Sequence, residues 1–246
     1  MADLVFHIGY HKTGTTWLQT GYFAEHPEIC FVSDFKAPWN DSFLSYLIGT
    51  TVRKFDPSRC REILNARIER YNSTTYKARV VSAERLSGHP FSGGYDSFRI
   101  AERINKCFPH ARIVCVIRNQ VDMISSVYQQ LVKEGYLGTC TALFKSNQWK
   151  GVAFSKCMYE YDLLIKKYHS LFPKENVLVL LHEQLQEDVK SFLSNLALFI
   201  GVDETSFIPS NLNKAVNVGR TAKGIATQRF LNHFRKSELN PFPLIE

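Results

Sequence analysis

Leu4-Val-Phe-His-Ile8, followed by Gly9-Tyr-His-Lys12-Thr-Gly14-Thr-Thr16-Trp-Leu-Gln19, decides how the rest of the chain is read. A short apolar run enters a turn bearing two glycines, and the turn enters a helix. The order is strand, phosphate-cradling loop, helix N-terminus. The first N–H groups of a helix lack intrahelical partners, and the aligned peptide dipoles place partial positive charge there, so anions bind at such a start. Gly9 and Gly14 let the backbone approach an anion, Thr15 and Thr16 add hydroxyl donors, and Lys12 adds a full charge.

The glycine spacing matches the nucleotide-hydrolase pattern G-x-x-x-x-G-K-[ST], but Thr15 follows Gly14 and the lysine stands earlier, at Lys12. In that pattern the lysine reaches the β- and γ-phosphates and the next hydroxyl holds magnesium. Here Lys12 lies in the turn, on the side where a transferring group and its leaving oxygen would sit.

Outward from the loop, strands alternate with helices. Ala78–Ser82, Arg112–Ile117 and Val177–Leu181 read as core strands, and Ile29–Val32 as a short one. Arg112–Ile117 is apolar on both faces, the mark of a buried parallel strand. Helices are expected from Thr15 to about Ala24, over Asp41–Ile48, Pro57–Tyr71, Asp96–Phe108, Val121–Lys133, Phe154–Phe172 and Leu185–Ile200, and from about Ile225 to Phe234. Asp41, and Asp56 or Ser58, are candidate caps, Gly201 is a stop, and 135–149 reads as irregular. This gives an α/β fold: a single domain over 1–246, with a central parallel sheet flanked by helices. Ligands in such sheets bind beyond the carboxyl ends of the strands. The polar turn Ala83-Glu84-Arg85-Leu-Ser87-Gly88-His89-Pro90 should therefore face the Lys12 loop.

The 246 residues carry a net charge of +7, which favours an anionic ligand. No dense Lys/Arg run supports nucleic acid as a partner. The six cysteines form no C-x-x-C pair, and no Asp/His cluster argues for a metal. Irregular cysteine spacing suggests reduced thiols and a cytoplasmic setting. The first strand starts too near Met1 for a signal peptide, and no apolar run is long enough to span a bilayer.

A second constellation follows the strand Arg112–Ile117. Arg118 ends the strand and Ser126 lies about two turns into the next helix. Arginine gives a forked, permanently charged donor suited to phosphate, and serine adds a hydroxyl.

The stretch K-T-G-T-T-W-L-Q resembles the 5′-phosphosulfate loop of sulfotransferases that use 3′-phosphoadenosine 5′-phosphosulfate (PAPS). Arg118-Asn-Gln-Val-Asp122-Met-Ile-Ser-Ser126-Val-Tyr128 resembles their 3′-phosphate motif, R-N-P-x-D-x-x-x-S-x-Y, with Gln120 in place of the usual proline, a change expected to loosen the turn. The segment from Val177 through Phe199-Ile-Gly-Val202 is similar to a late part of bacterial sulfotransferase domains, as is Ser82–Phe91. The resemblance covers most of the chain and implies a P-loop-like fold. It also implies that PAPS is held by His11, Lys12, Thr13, Gly14, Thr15, Thr16 and Trp17 at one end and by Arg118 and Ser126 at the other. Arg220, Lys223 and Gly224, in a tail over about 211–246, would close on the 3′-phosphate. The product would be adenosine 3′,5′-bisphosphate (PAP), with no metal.

The reaction implied is in-line sulfuryl transfer to a hydroxyl, less readily an amine, of a carbohydrate or small metabolite. Lys12 would stabilise charge on the leaving oxygen. Glu84 leads as the base, since it follows a core strand on the ligand side, although it could pair with Arg85 and only shape the loop. Asp34 is second, because its distance after Lys12 is similar to that of the base carboxylate in glycan sulfotransferases. His89 is third, as histidine suits base work near neutral pH. Two other classes compete: a P-loop kinase, which needs a lysine after Gly14 and a magnesium carboxylate, and a non-catalytic nucleotide-binding module.

Overall fold

A computed structural model describes residues 3–34, 40–71, 76–145, 154–203, 207, 209 and 221–244. Five strands form one parallel sheet: β1 Asp3–His7, β2 Ile29–Phe31, β3 Ala78–Ser82, β4 Arg112–Ile117 and β5 Val177–Leu181, in the order β2-β3-β1-β4-β5. The bounds of β3, β4 and β5 coincide with the sequence reading.

Successive side chains of a strand point to opposite faces, and here both faces are covered. Phe6, Val81, Ile113 and Cys115 belong to one core. Val5, Val80, Val114 and Val116 belong to the other. On the first side lie α3 Pro57–Glu69, α4 Ser97–Cys107, α5 Gln120–Lys133 and α7 Tyr161–Leu171, which contribute Leu64, Ile104, Leu131 and Leu164. On the second lie α1, which opens at Thr15–Trp17 and runs on to Phe23, and α9 Val189–Ile200, through Leu18, Phe23, Phe192 and Leu196.

Several helices depart from the expectation. Helix α1 opens as Thr15–Trp17 and continues in wider π-type turns over Leu18–Phe23. Helix α2, Ser42–Leu44, does the same over Ser45–Gly49. The stretch expected as one helix over 154–172 is a 3₁₀ turn, Lys156–Tyr159, then α7, with Glu160 out of helical geometry between them (φ −81°, ψ 73°). The expected helix over 185–200 is two, α8 His182–Glu187 and α9, because Asp188 leaves helical geometry and caps Ser191 N–H. The region read as irregular contains the short α6, Cys140–Leu143, and its end lies outside the described residues. Gly201 stops α9 with a φ of 81°. The last helix is α10, Ala222–Leu231, with a 3₁₀ turn at Asn232–Phe234.

One carboxylate fastens the segment before α2. Asp41 is buried and accepts from Leu44 N–H at 2.9 Å, from Asp34 N–H at 3.0 Å and from Arg67 at 2.6 Å. From the other side Arg103 of α4, also buried, donates to the carbonyls of Leu47, Ile48 and Thr50. Among the described residues no helix is long and apolar enough to cross a membrane.

Candidate active site

The central strands β1 and β4 are neighbours, but the chain leaves β1 toward β2 and leaves β4 toward β5. A crevice opens between two such strands at their carboxyl ends. The loop after β1 hangs there. Ile8 N–H donates to Val114 O and Tyr10 N–H to Val116 O, so the loop follows β4 past the end of β1. It then turns sharply through two left-handed residues, Lys12 (φ 66°) and Gly14 (φ 82°).

Among the described residues Lys12 alone has this backbone without being glycine, a strained conformation typical of sites where a loop is shaped for a ligand. Both glycines are demanded by close approach. A Cβ on Gly9 would stand 2.8 Å from His7 Nε2 and 3.0 Å from Thr15 Oγ1, and one on Gly14 would stand 2.8 Å from Leu185 Cδ2.

Arg118, at the end of β4, donates to the Lys12 carbonyl at 3.2 Å. The two anion-binding groups read separately in the sequence are thus tied across the crevice. Lys12 Nζ donates to Gln130 Oε1 at 3.0 Å, and Gln130 lies one turn after Ser126 on α5. Gln120 adds a new tie where proline was expected, since its amide donates to Tyr159 O at 2.8 Å and Asn119 caps the helix.

Lys12, Gly14, Thr15, Thr16, Arg118 and Ser126 line one cavity of about 920 Å³, which also takes in His11, Asp34, Glu84 and His89. Two expected cofactor residues are not there. Thr13 is fully buried and its hydroxyl donates to Tyr10 O, while Trp17 packs into the core beneath the loop. The described part of the tail lies elsewhere. Lys223 and Gly224 belong to α10, which packs on α5 away from the cavity: Arg229 donates to the Tyr128 hydroxyl and Asn232 to Val132 O. Arg220 lies outside the described residues.

The three carboxylate and imidazole candidates separate on geometry. Glu84 does not pair with Arg85, which is held by buried Asp96. Its partner is His11, with Nδ1 and the carboxylate 3.0 Å apart. Burial pushes the Glu84 carboxyl up, but the hydrogen bond and charge of His11 and the charge of Lys12 outweigh that, leaving it below the ordinary range. His89 accepts Phe91 N–H on Nδ1, so its proton sits on Nε2 and it presents a donor to the cavity. Burial and the neighbouring Arg85 also push its pKa down. Asp34 is exposed at the rim.

Beneath the loop, Gln19 donates to Ser82 O and to Ser82 Oγ, and Ser82 Oγ stands 2.7 Å from His7 Nδ1. With the serine proton directed at Nδ1, His7 carries its own proton on Nε2, toward Gly9 and Thr15. Four polar atoms here are buried without a protein partner: His7 Nε2, Thr15 Oγ1, His11 Nε2 and His182 Nδ1. Buried polar groups are nearly always paired. Their concentration around one loop suits a polar ligand seated in it.

Burial lowers the His7 pKa from 6.5 to about 4. The unfolded chain therefore takes up a proton that the folded one refuses as pH falls through this window. Folding stability should drop between pH 6.5 and about 4 by about 3 kcal/mol. A His7→Gln variant should lose that share of the pH dependence, as read by urea unfolding at a series of pH values.

Sequence reasoning missed Gln19, Gln130, His182 and Gln186, all of which line the cavity. Gln19 and Gln130 follow Thr15 and Ser126 by one helical turn. His182 follows β5 as Arg118 follows β4.

A family model for the sulfotransferase domain matches residues 2–223. No curated protein matches the sequence. Among solved structures, a sulfotransferase from Alicyclobacillus acidocaldarius superposes with a TM-score of 0.61 at 16% identity, covering 100% of this chain and 97% of that one. The sulfotransferase domain of the Synechococcus PCC 7002 olefin synthase gives 0.49 at 12% identity, covering 96% and 97%. The extent of the family match, with both motifs in one crevice, places the chain in the PAPS-dependent sulfotransferase domain family.

Proposed function

We propose that the protein transfers the sulfuryl group of PAPS to a hydroxyl, less readily an amine, of a carbohydrate or small metabolite. One observation carries the reading: the Lys12 loop and the Arg118–Ser126 pair are joined across the β1–β4 crevice and open into a cavity that also holds Glu84 and His11. Bound PAPS supplies the sulfuryl group and departs as PAP. Lys12, Thr15 and Thr16 on the cavity wall fit its 5′ end, and Arg118 with Ser126 fits its 3′-phosphate.

Lys12 is placed to neutralise charge growing on the leaving oxygen. Glu84 and His11 form the base. The carboxylate fixes His11 with its proton on Nδ1 and leaves Nε2 as the acceptor, the division of roles seen in carboxylate–imidazole pairs. The far wall, with Leu44, Ile48, Pro90 and Phe91, supports an acceptor that has an apolar face beside its hydroxyl. All six cysteines are free thiols, which supports a reducing, cytoplasmic setting.

The test is calorimetric titration with PAP and, in parallel, ATP·Mg, followed by an acceptor screen with labelled PAPS. Preference for PAP and transfer of label are expected. Preference for ATP·Mg would return the loop to a generic phosphate site. In the same assay Glu84→Gln should lower kcat by about 10²- to 10³-fold with PAP affinity unchanged. Undiminished turnover in Glu84→Gln would remove this pair from the mechanism.

A further inference from the structure

Helix α10 is held to the body of the protein mainly by polar contacts and leaves a set of apolar side chains outward. Ile225 packs against the core, and the bonds to α5 and its end are polar: Arg229 bonds the Tyr128 hydroxyl, and Asn232, in the turn that follows, bonds Val132 O and Tyr136 O. The residues it turns outward near its end are Phe230, Leu231 and Phe234, which are 63%, 51% and 40% exposed. The chain then doubles back, with Leu244 N–H donating to His233 O, and adds Leu244 and Phe242 at 72% and 89% exposure. Isolated apolar residues on a surface need no explanation, but a contiguous cluster of this kind marks an interaction site.

The charge around the cluster selects the partner. Residues 221–244 carry four cations against a single carboxylate, Glu238. Three of the four, Lys223, Arg235 and Lys236, are exposed. A second copy seated on the same face would bring two cationic rims together within a protein of net charge +7, and like charges in apposition oppose association. An anionic bilayer answers both features: aromatic side chains enter the headgroup boundary while Lys and Arg remain at the phosphates.

We propose that the α10 face, with Phe230, Leu231 and Phe234 as its apolar centre and Arg235 and Lys236 as its cationic rim, docks reversibly on an anionic lipid surface. The face is separate from the cavity and does not depend on the chemistry performed there. The connection is through α5, whose one side holds α10 and whose other side carries Ser126 and Gln130.

The test is sedimentation of the full chain with vesicles of phosphatidylcholine alone and of phosphatidylcholine mixed with phosphatidylserine. Binding to the mixed vesicles only, weakened by added salt, is expected. The double variant Phe230→Ser/Phe234→Ser should lower the vesicle-bound partition coefficient roughly tenfold or more, with the thermal transition of the soluble protein retained. Arg235→Glu/Lys236→Glu provides an independent arm that leaves the apolar cluster intact and should abolish the lipid-charge dependence. Failure to bind mixed vesicles, equal binding to neutral ones, or binding indifferent to both double variants would overturn the proposal. So would a wild-type dimer in solution that Phe230→Ser/Phe234→Ser dissociates, since the face would then belong to a second copy.

Discussion

Lys12→Ala is expected to lower kcat by about 10²- to 10³-fold while changing PAP affinity much less. In the proposed reaction the charge would act where negative charge develops on the leaving oxygen, so its value would appear in the transition state rather than in the ground state. The side chain is already placed, its ammonium held 3.0 Å from Gln130 Oε1, so little reorganisation is needed when the donor binds. A second substitution separates charge from backbone. Lys12 has a φ of 66°, a conformation that glycine adopts without penalty. Lys12→Gly should therefore be as slow as Lys12→Ala yet more stable to urea by about 1 kcal/mol. Single-turnover kinetics with labelled PAPS and urea unfolding read the two quantities. If Lys12→Ala raised the dissociation constant and spared kcat, the lysine would be a binding group only.

Arg118→Ala should weaken PAP by roughly a hundredfold, or about 3 kcal/mol, in calorimetry. Two losses add in this variant. The 3′-phosphate loses a charged fork, and the Lys12 carbonyl loses the donor that ties the two loops. Arg118→Lys should recover only a small part, because an ammonium cannot bond phosphate and carbonyl with the geometry of a planar guanidinium. A nucleotide without a 3′-phosphate should bind wild type and Arg118→Ala more nearly alike. Equal PAP affinity in the two proteins would mean that Arg118 serves the loop alone.

What could be read from the sequence follows from how local the signal was. Strands β3, β4 and β5 are apolar runs bounded by charged or turn residues, and their ends were legible to the residue. Given parallel strands, the side of the sheet bearing the ligand followed, and Lys12, Glu84 and Arg118 do meet there. The helix breaks were harder. Tyr159 and Tyr161 are both buried, so the apolar pattern runs unbroken through Glu160, where the helix stops. The Asp188 cap was visible as a residue type but lay inside a periodic stretch.

Partner choice was the least legible. Arg85 adjoins Glu84 in sequence but turns to Asp96, and the carboxylate takes His11 from another strand's loop, 73 positions away in the numbering. Pairings of that kind depend on register between β1 and β3, which local pattern does not encode. Trp17, adjacent to the loop, could face either the ligand or the core. The packing against Val5, Val80 and Val114 put it in the core.

The anchoring of the segment around α2 bears on how such a protein can change over generations. Asp41 holds the start of that segment and Arg103 holds its end, and Arg103 does so through main-chain carbonyls that every sequence possesses. The side chains of Leu44, Ser45 and Ile48, which face the cavity, take no part in the main-chain anchors supplied by Asp41 and Arg103. Replacement of Ser45 or Ile48 leaves these anchors in place, whereas Leu44 is also part of the core. Under the proposed function, this wall is a module on which acceptor preference would drift while the Lys12–Arg118 half stays constant.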